Sequence, residues 1–537
     1  MKNKIIYLCI AFSLLASTSC SDFLDTTPQD FLAPENYYNT AEDARDALVG
    51  VYNPIGTYHL YGCYMVIDGA MDDLTYWYVD EVTTIDKLYG WNYSAGQTHL
   101  GQIWRKLYDG INRANLVLEN VGQIDMDEDT KKMYLGEARI LRAYYHYLAA
   151  DWWGDIPLKL ASTKKVTDVN IARTSQLEIL NKVVQEMEEV VNSNVLNTAD
   201  KFNHSSRVTQ TVAQALLSRV YMKMAGYPLN LGNPMYEKAL FWAQKVQESN
   251  LHRLHPDYNQ IFINHAQDTY DTLYRESMWE ADFVGNSITN PGRSDAYGWI
   301  GAMNGIACSE EKKIGYSYGF VRIRLKFWDL FDDDVNDVRK DRVISPFSYD
   351  KTGNRIAAPT RPGERCMAKW RREEETTSPK HKNYTGINFP IMRYADVLLT
   401  IAEAENELRG PTTVAIDAFN EVRARAGVYL YTNVPDTEKQ LVTSKEDFRA
   451  IIQDDRAREL AGEGMRKRDL IRWGIFLDEM KRAAEEPFLP ENSARTTAMT
   501  RTRMTAIPSR MTEKYLLQPI PQAELNLNNK MTQNKLW

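Results

Sequence analysis

Acidic side chains are the first residues of this sequence to test for chemistry. A glycoside hydrolase needs two carboxylates held a fixed distance apart. Asp72 and Asp73 are adjacent, and on a strand their side chains would point to opposite faces. Glu403 and Glu405 lie two residues apart in a predicted helix, so they do not share one face. Neither pair indicates a catalytic pair of carboxylates.

A longer charged series lies in the stretch RARELAGEGMRKRDLIRW. Its members recur at steps of three and four residues: Glu459, Glu463, Arg466, Asp469 and Arg472. Such a series has the residue types of a catalytic cluster. Acids and bases at this spacing are, however, far more typical of structural ion pairs. We therefore predict an ion-pair ladder between helices.

Metal and phosphate motifs are incomplete. Asp332, Asp334 and Asn336 begin like a calcium-binding loop. Asp337 stands where that loop requires glycine, and Val343 stands where it requires a bidentate glutamate. The sequence contains no phosphate-binding G-x-x-x-x-G-K motif and no dinucleotide fingerprint. We predict no cofactor, although a calcium ion bound by irregular loop oxygens would leave no pattern and remains an open alternative.

The elements that must position these residues are predicted to be mainly helical. In YLGEARILRAYYHYLAA the apolar residues recur mostly at helical spacing, from Leu135 to Ala149. The stretches 209–226 and 392–410 repeat the pattern, and each ends at a glycine. A short turn at Pro411 leads into another helical stretch, so these two helices should pack antiparallel. Small residues occur where helices would approach closely, as in tetratricopeptide repeats: Ala213, Ala215, Ala395 and Ala402.

Two regions break the helical pattern. Residues 68–98 contain six acids, two tryptophans and four tyrosines. Residues 285–372 are rich in Gly, Tyr, Trp, Arg and Asp, and Pro-containing turn signals interrupt them. We predict long loops with a few short strands, inserted into the helical body. Loops on a rigid scaffold are frequent sites of binding residues.

The N-terminus has the features of an export signal. Lys2 and Lys4 precede an apolar run at 5–16, which is too short to span a bilayer as a helix. Small residues then lead to Cys20, and an acidic stretch follows. A cysteine at this place is typical of a bacterial lipoprotein, in which the thiol carries the lipid. We predict a lipoprotein signal peptide at 1–19 and lipidation of Cys20, with a plain secretion signal as the alternative.

Composition limits the remaining possibilities. The chain has 537 residues and a net charge of −8, without a Lys/Arg block, so a nucleic-acid partner is not indicated. Once the signal is removed and Cys20 is lipidated, Cys63, Cys308 and Cys366 remain. Without a C-x-x-C pair, neither a disulfide framework nor a Cys-rich zinc site is indicated. At most one bridge could form among these three, and the sequence does not select it.

Several stretches, taken in order, resemble one protein family. The start of the mature chain, CSDFLDTTPQD, is followed by IWRKLYDGINRANLVLENV and by YLGEARILRAYYHYLAADWWGDIPL, the most specific match. FPIMRYADVLLTIAEAENEL, DDRARELAGEGMRKRDLIRWG and the tail YLLQPIPQAELNLNNKMTQN continue the series. From Cys20 nearly to Trp537, the chain resembles the SusD/RagB family of outer-membrane nutrient-binding lipoproteins.

The resemblance implies a fold and a function. The fold class is mainly α, with tetratricopeptide-like helix pairs packed against an irregular, loop-rich portion with a few short strands. Residues 20–537 would form a single SusD-like domain. The protein would be lipid-anchored in the outer membrane at the cell surface, with a SusC-like TonB-dependent β-barrel transporter as its partner. It would capture glycan and deliver it to that transporter without catalysis; the alternatives are a peptide-binding RagB-like lipoprotein and a surface glycoside hydrolase.

A glycan-binding site needs flat aromatic rings for sugar faces and polar groups for hydroxyls. The two loop regions supply these residue types, and core packing is the alternative role for each tryptophan. From the first region we predict ligand contacts by Asp73, Trp77, Tyr78, Trp91, Asn92 and Tyr93. From the second we predict contacts by Arg293, Tyr297 and Trp299.

Overall fold

The computed structural model describes residues 37–285, 296–332 and 336–537. The predicted signal peptide at 1–19, Cys20, Arg293 and Asp334 lie outside the described residues. In the described part, helices predominate, as the sequence predicts, and the irregular portion contains short strands. None of the described helices has the length and apolar content needed to cross a membrane.

The helices in chain order are α1 (Ala41–Tyr52), α2 (Tyr64–Gly69), α3 (Thr84–Tyr89), α4 (Thr98–Asn120), α5 (Glu128–Trp153), α6 (Gln176–Ser193), α7 (Gln210–Ala225), α8 (Asn233–Glu248), α9 (Tyr258–Gln267), α10 (Leu325–Asp329), α11 (Lys340–Val343), α12 (Tyr394–Arg409), α13 (Thr413–Ala426), α14 (Lys445–Leu460), α15 (Arg466–Arg472), α16 (Phe476–Glu485), α17 (Ala498–Ala506) and α18 (Gln522–Leu527). The strands are β1 (Thr75–Trp77), β2 (Ser277–Ala281), β3 (Val321–Ile323), β4 (Phe347–Tyr349), β5 (Arg355–Ala357), β6 (Phe389–Arg393), β7 (Tyr431–Thr432) and β8 (Gln440–Leu441).

Local signals set the ends of the long helices. Asp127 caps α5 by accepting a hydrogen bond from the Thr130 amide at 2.8 Å, and the chain leaves this helix at Gly154, where φ is +75°. Thr209 caps α7 in the same way, and Gly226 follows its last residue. The helical prediction for 209–226 is confirmed. The prediction for 392–410 needs a correction, because its first two residues belong to strand β6 and α12 begins at Tyr394.

The long helices pack in pairs. Helix α4 packs on α5, α5 on α6, α7 on α8, and α12 on both α8 and α13. The linker between α12 and α13 is short, as expected for neighbouring antiparallel helices. The small residues predicted for close helix approach are fully buried: Ala213, Ala215, Ala395 and Ala402. This arrangement agrees with the predicted tetratricopeptide-like scaffold.

The irregular portion is joined by two-stranded pairings. Strands β1 and β3 are antiparallel, with Thr75 opposite Ile323 and Trp77 opposite Val321. This pairing brings the two predicted loop regions together, although they are far apart in the chain. Strand β2 pairs with β6 and β4 with β5, both antiparallel, whereas the short β7–β8 pair is parallel. Cys63, Cys308 and Cys366 are buried free thiols, so no disulfide forms among them.

Buried ion pairs attach the irregular portion to the scaffold. Arg393, the last residue of β6, reaches Glu276, Glu459 and Glu463 with nitrogen–oxygen distances of 2.7–2.9 Å. Lys369 also pairs with Glu463 at 2.7 Å. We call this cluster, together with Arg339, Arg423, Arg425, Asp337 and Asp455, the buried ion network.

The predicted ion-pair ladder is confirmed, and it belongs partly to this network. Glu459 and Glu463 face Arg393, as described above. The remaining members pair with residues from other elements: Arg466 with Asp73, Asp469 with Arg456, and Arg472 with Glu403. Each partner is buried, so these side chains are committed to buried ion pairs.

Asp455 makes the stability of the fold sensitive to acid. Burial alone would raise its pKa, but Arg339 and Arg423 outweigh burial and lower the pKa from 3.8 to about 2. Because the pKa is lower in the folded state than in the unfolded state, the stabilisation is complete above about pH 4. This stabilisation is lost as the pH falls through the pKa that Asp455 has in the folded state. The shift corresponds to about 2 kcal/mol of unfolding free energy.

We predict that the melting temperature falls steeply between pH 4 and pH 2 in scanning calorimetry. At pH 7, Asp455→Asn should lower the free energy of unfolding by about 3 kcal/mol, because it leaves Arg339 and Arg423 short of a buried counter-charge. Asp454→Asn is the matched control: burial raises the pKa of Asp454, so losing its charge should change the free energy of unfolding by less than about 1 kcal/mol. Equal effects of the two substitutions would contradict the assigned role of Asp455.

Candidate functional site

The predicted site residue Asp73 is fully buried in an ion-pair cluster. Its carboxylate lies 2.8 Å from Arg466 and 2.6 Å from Lys326. Burial alone would raise the pKa of Asp73, but these two cations outweigh burial and hold the pKa below its ordinary value. Asp73 is therefore not exposed in this structure, although it lies with Lys326 in the lining of a cleft, and its predicted ligand contact remains a prediction. Its contacts join α15 and α10 to the first loop region.

Three of the predicted aromatic contacts belong to the core. Trp77 is 3% exposed and packs against Tyr89 and Phe320, with ring centroids 4.6 and 4.8 Å away. Trp91 is 0% exposed, and Lys467 places its ammonium 3.7 Å from the ring centroid. Tyr297 is 1% exposed. These side chains present no open ring face to a ligand, so the prediction of exposed stacking is wrong for them.

The remaining residues of the first loop region lie nearer the surface. The Tyr78 ring is half-buried, and the guanidinium groups of Arg322 and Arg503 stack 3.5 and 4.4 Å from its centroid. Exposed Asn92 donates a hydrogen bond to Glu81. Half-buried Tyr93 stacks on Trp537 with centroids 5.5 Å apart, and its hydroxyl donates to Gln518. Their predicted ligand contacts remain predictions.

Half-buried aromatic rings come together elsewhere, on a surface that we call the aromatic face. The face consists of two rows: Tyr316, Tyr318 and Phe320, and Tyr58, Trp299 and Tyr384. In the first row, adjacent centroids are 4.8 and 4.7 Å apart. In the second, Trp299 lies between its two neighbours, at 6.3 Å from each. The rows are joined by the Tyr318 hydroxyl, which donates a hydrogen bond of 2.9 Å to Asn383.

An extended segment positions the first row. In IGYSYGF, residues 314–320, side chains alternate between the two sides of the chain, so every second residue shares a face. Ser317 exchanges two backbone hydrogen bonds of 2.9 Å with Cys308, which fixes this register. Gly319 has a φ of +63°, and a Cβ there would lie 2.6 Å from the Cβ of Ala307. Glycine is therefore required for the close approach that aligns the row.

Backbone hydrogen bonds also place the second row. The Trp299 amide donates to the carbonyl of Gly62 at 2.7 Å, which brings the Trp299 ring beside Tyr58. Gly298 and Thr385 exchange two backbone hydrogen bonds, and these place Tyr384 on the other side of Trp299. The predicted residue Trp299 thus lies at the centre of an aromatic row.

Polar side chains border the aromatic face. Exposed Lys382 lies 4.8 Å from the Tyr316 ring centroid and 3.6 Å from a carboxylate oxygen of Glu311. His381 stacks on Tyr384 at 4.3 Å, and its Nδ1 accepts hydrogen bonds from two backbone amides. Burial and the nearby Arg372 lower the pKa of His381, which favours the neutral ring. The face therefore combines flat apolar surface with both hydrogen-bond donors and acceptors.

The adjacent acids Asp72 and Asp73 are both buried. Burial and the charge of Asp73 raise the pKa of Asp72 to about 7, and its Oδ1 accepts backbone hydrogen bonds from Leu74 and Thr75. In the part of the chain that the structure describes, no group of His, Cys, Asp or Glu is arranged to hold a metal ion.

Sequence reasoning missed most of the aromatic face. It selected Trp299 but not Tyr58, Tyr384 or the row from Tyr316 to Phe320. The alternation of aromatic with small residues at 316–320 was a usable signal for one exposed aromatic edge. No local pattern marks Tyr58 and Tyr384, because long-range backbone pairing brings them to Trp299.

Comparisons with known proteins agree with this fold. A family model described as the SusD family matches residues 321–537, and one described as starch-binding, associating with the outer membrane, matches residues 22–222. A SusD-like protein of Formosa agariphila is 25% identical over 524 residues, covering 89% of this chain and 91% of the relative.

Solved structures give the same result. The crystal structure of a SusD homologue from Bacteroides thetaiotaomicron superposes with a TM-score of 0.83 and 26% identity, covering 94% of this chain and 98% of that one. Surface glycan-binding protein A from the same organism, in complex with laminarihexaose, superposes with a TM-score of 0.69 and 19% identity, covering 93% of this chain and 100% of that one. Since two family models match separate parts of the chain and the relatives match nearly its full length, the chain belongs to the SusD-like family.

Proposed function

We propose that this protein is a cell-surface glycan-binding lipoprotein that captures oligosaccharide or polysaccharide on the aromatic face and delivers it to a SusC-like TonB-dependent transporter. The observation that carries this proposal is the row of Tyr316, Tyr318 and Phe320, aligned on one edge of an extended segment and bordered by polar side chains. Aromatic rings stack on the apolar faces of sugar rings, and polar groups then fix orientation.

The rigidity of the face supports capture. Backbone hydrogen bonds to Cys308, Ala302 and Met303 hold the segment that carries the first row. A ligand then pays little ordering entropy on the protein side, since these rings are already held in place. The names of similar proteins support the ligand class, because one solved relative contains laminarihexaose and one matching family model is described as starch-binding.

The same geometry favours binding without catalysis. Hydrolysis of a glycosidic bond needs an acid and a second carboxylate on either side of the bond. Asp72 and Asp73 are closed off from solvent, and Glu311, which borders the face, is paired with Lys382. The ladder from Glu459 to Arg472 is likewise committed to buried ion pairs.

Anchoring and delivery complete the proposal. Lipidation of Cys20, after removal of residues 1–19, would attach residues 20–537 to the outer membrane as one SusD-like domain. The helical scaffold would then dock the transporter, while the aromatic face meets the glycan. The family model described as associating with the outer membrane supports this placement.

We predict that Tyr318→Ala lowers glycan affinity about fivefold, because a single aromatic stacking contact contributes about 1 kcal/mol. Native-gel retardation on a polysaccharide panel would identify the glycan, and titration calorimetry would measure the affinity. Tyr318→Phe keeps the ring but loses the hydrogen bond to Asn383, so it should retain most of the affinity. Phe241→Ala, an exposed aromatic on α8, is the matched control and should bind like the parent.

The same samples test catalysis and ligand class. Chromatography of the glycan after long incubation should show no shortened products or new reducing ends. Products would refute the non-catalytic reading. If the parent protein retains peptides but no glycan, the ligand assignment is wrong and the peptide-binding alternative is correct.

We predict that Cys20→Ala releases the protein from membranes, since lipid chains contribute about 0.8 kcal/mol per buried CH₂ group to membrane binding. Membrane fractionation followed by immunoblotting would show the variant in the soluble fraction and the parent in the membrane. Retention of the variant by membranes that lack the transporter would contradict the lipid anchor.

A further inference from the structure

An open cleft lies outside the aromatic face, between α4 and α18. We call it the α4–α18 groove; its volume is about 780 Å³, and its lining includes Gln102, Arg105, Asp109, Lys159 and Glu524. This volume is within the range of small-molecule sites, roughly 300–1,000 Å³. The function proposed above does not use the groove.

Two aromatic residues of α4 lie in the groove lining: Trp104, which is 4% exposed, and Tyr108, which is half-buried. The rings of Trp104 and Tyr108 lie one helical turn apart, with centroids separated by 4.9 Å. The Trp104 indole donates to Glu524 at 3.3 Å, and the Tyr108 hydroxyl donates to the carbonyl of Pro157 at 2.9 Å. These hydrogen bonds hold both rings in place across the groove.

Uncommitted polar side chains border these rings. Arg105 is exposed and Asp109 is half-buried, and neither side chain makes a hydrogen bond or ion pair with another residue in the described part of the chain. The two lie four residues apart on α4, a spacing at which oppositely charged side chains often pair. Here they leave both donors and acceptors available to a ligand.

The charge of the lining selects the class of ligand. Arg105, Arg113 and Lys159 are opposed by Asp109 and Glu524, so the groove carries little net charge. A polyanion or polycation would meet groups of its own sign. A neutral, hydroxyl-rich chain would use the donors, the acceptors and the half-buried Tyr108 ring together.

We propose that the α4–α18 groove is a second saccharide-binding site, which takes a short stretch of neutral glycan. The proposal rests on the proposed function for its ligand class, but it uses different residues. His99, near the start of α4, packs edge-on against Tyr64 at 4.6 Å, and Tyr64 packs against Tyr58 of the aromatic face at 5.4 Å. The N-terminal end of α4 thus packs toward the aromatic face, and a glycan long enough to reach both sites would gain avidity.

Gly101 offers a way to close the groove without disturbing the aromatic face. It lies on α4 in the groove lining, and the nearest atom to a Cβ placed there is the Cβ of Pro521, at 3.8 Å. A side chain at this position has room to grow into the cleft. Gly122, just beyond the C-terminal end of α4, has no neighbouring atom within 4 Å of a Cβ and provides a matched control.

The test compares Gly101→Phe with Gly122→Phe by titration calorimetry, using the polysaccharide that the parent protein retains. Gly101→Phe should weaken binding of the long glycan at least fivefold, whereas Gly122→Phe should bind like the parent. Melting temperatures check the folding of both. If Gly101→Phe is unstable, the double variant Arg105→Ala, Asp109→Ala replaces it and should show the same loss.

The outcomes separate this inference from the proposed function. Parent-like binding by the groove variant, with loss of binding in Tyr318→Ala, would overturn the second site and leave the aromatic face intact. Parent-like glycan binding combined with loss of transporter co-purification would also overturn it and would make the groove a protein contact. Failure of the parent protein to bind any glycan would overturn both proposals.

Discussion

Buried charge pairing is the constraint on which the rest of this structure depends. A buried ion that loses its partner is strongly destabilising, so each guanidinium and carboxylate in the interior fixes the position of the other. Arg393 is central because it ends strand β6 and contacts acids that precede β2, lie on α14 and follow α14. Segments with little regular structure are thereby held on the helical scaffold.

The aromatic face depends on this attachment. Its rings lie on loops and extended segments, which have few regular hydrogen bonds of their own. The β1–β3 pairing joins the two loop regions, and the contacts of Asp73 with Arg466 and Lys326 tie the first region to α15 and to α10 of the second region. The charged residues that resemble a catalytic cluster in the sequence thus serve the site indirectly, by holding the surface on which ligand would be captured.

Periodicity allowed the scaffold to be predicted, whereas the site was predicted only in part. Helical stripes and the charged ladder are local patterns in the sequence. Spacing alone was therefore enough to predict α5, α7 and the ion-pair ladder over residues 459–472. Residue type located aromatic loops but could not show which rings face the core. Trp91 and Trp299 are equivalent by composition, yet Lys467, Phe476 and Tyr515 enclose the first, while Tyr58 and Tyr384 flank the second on the surface. These neighbours come from distant parts of the chain.

A crystal structure of the protein with a bound oligosaccharide tests the central claim most directly. The ligand would be the glycan that the parent protein retains in native gels, at a concentration well above its dissociation constant. The account predicts an intact sugar chain stacked on Tyr316, Tyr318 or Phe320, with polar contacts from neighbouring side chains. A sugar bound elsewhere with the aromatic face empty, or a cleaved chain in the site, would contradict it.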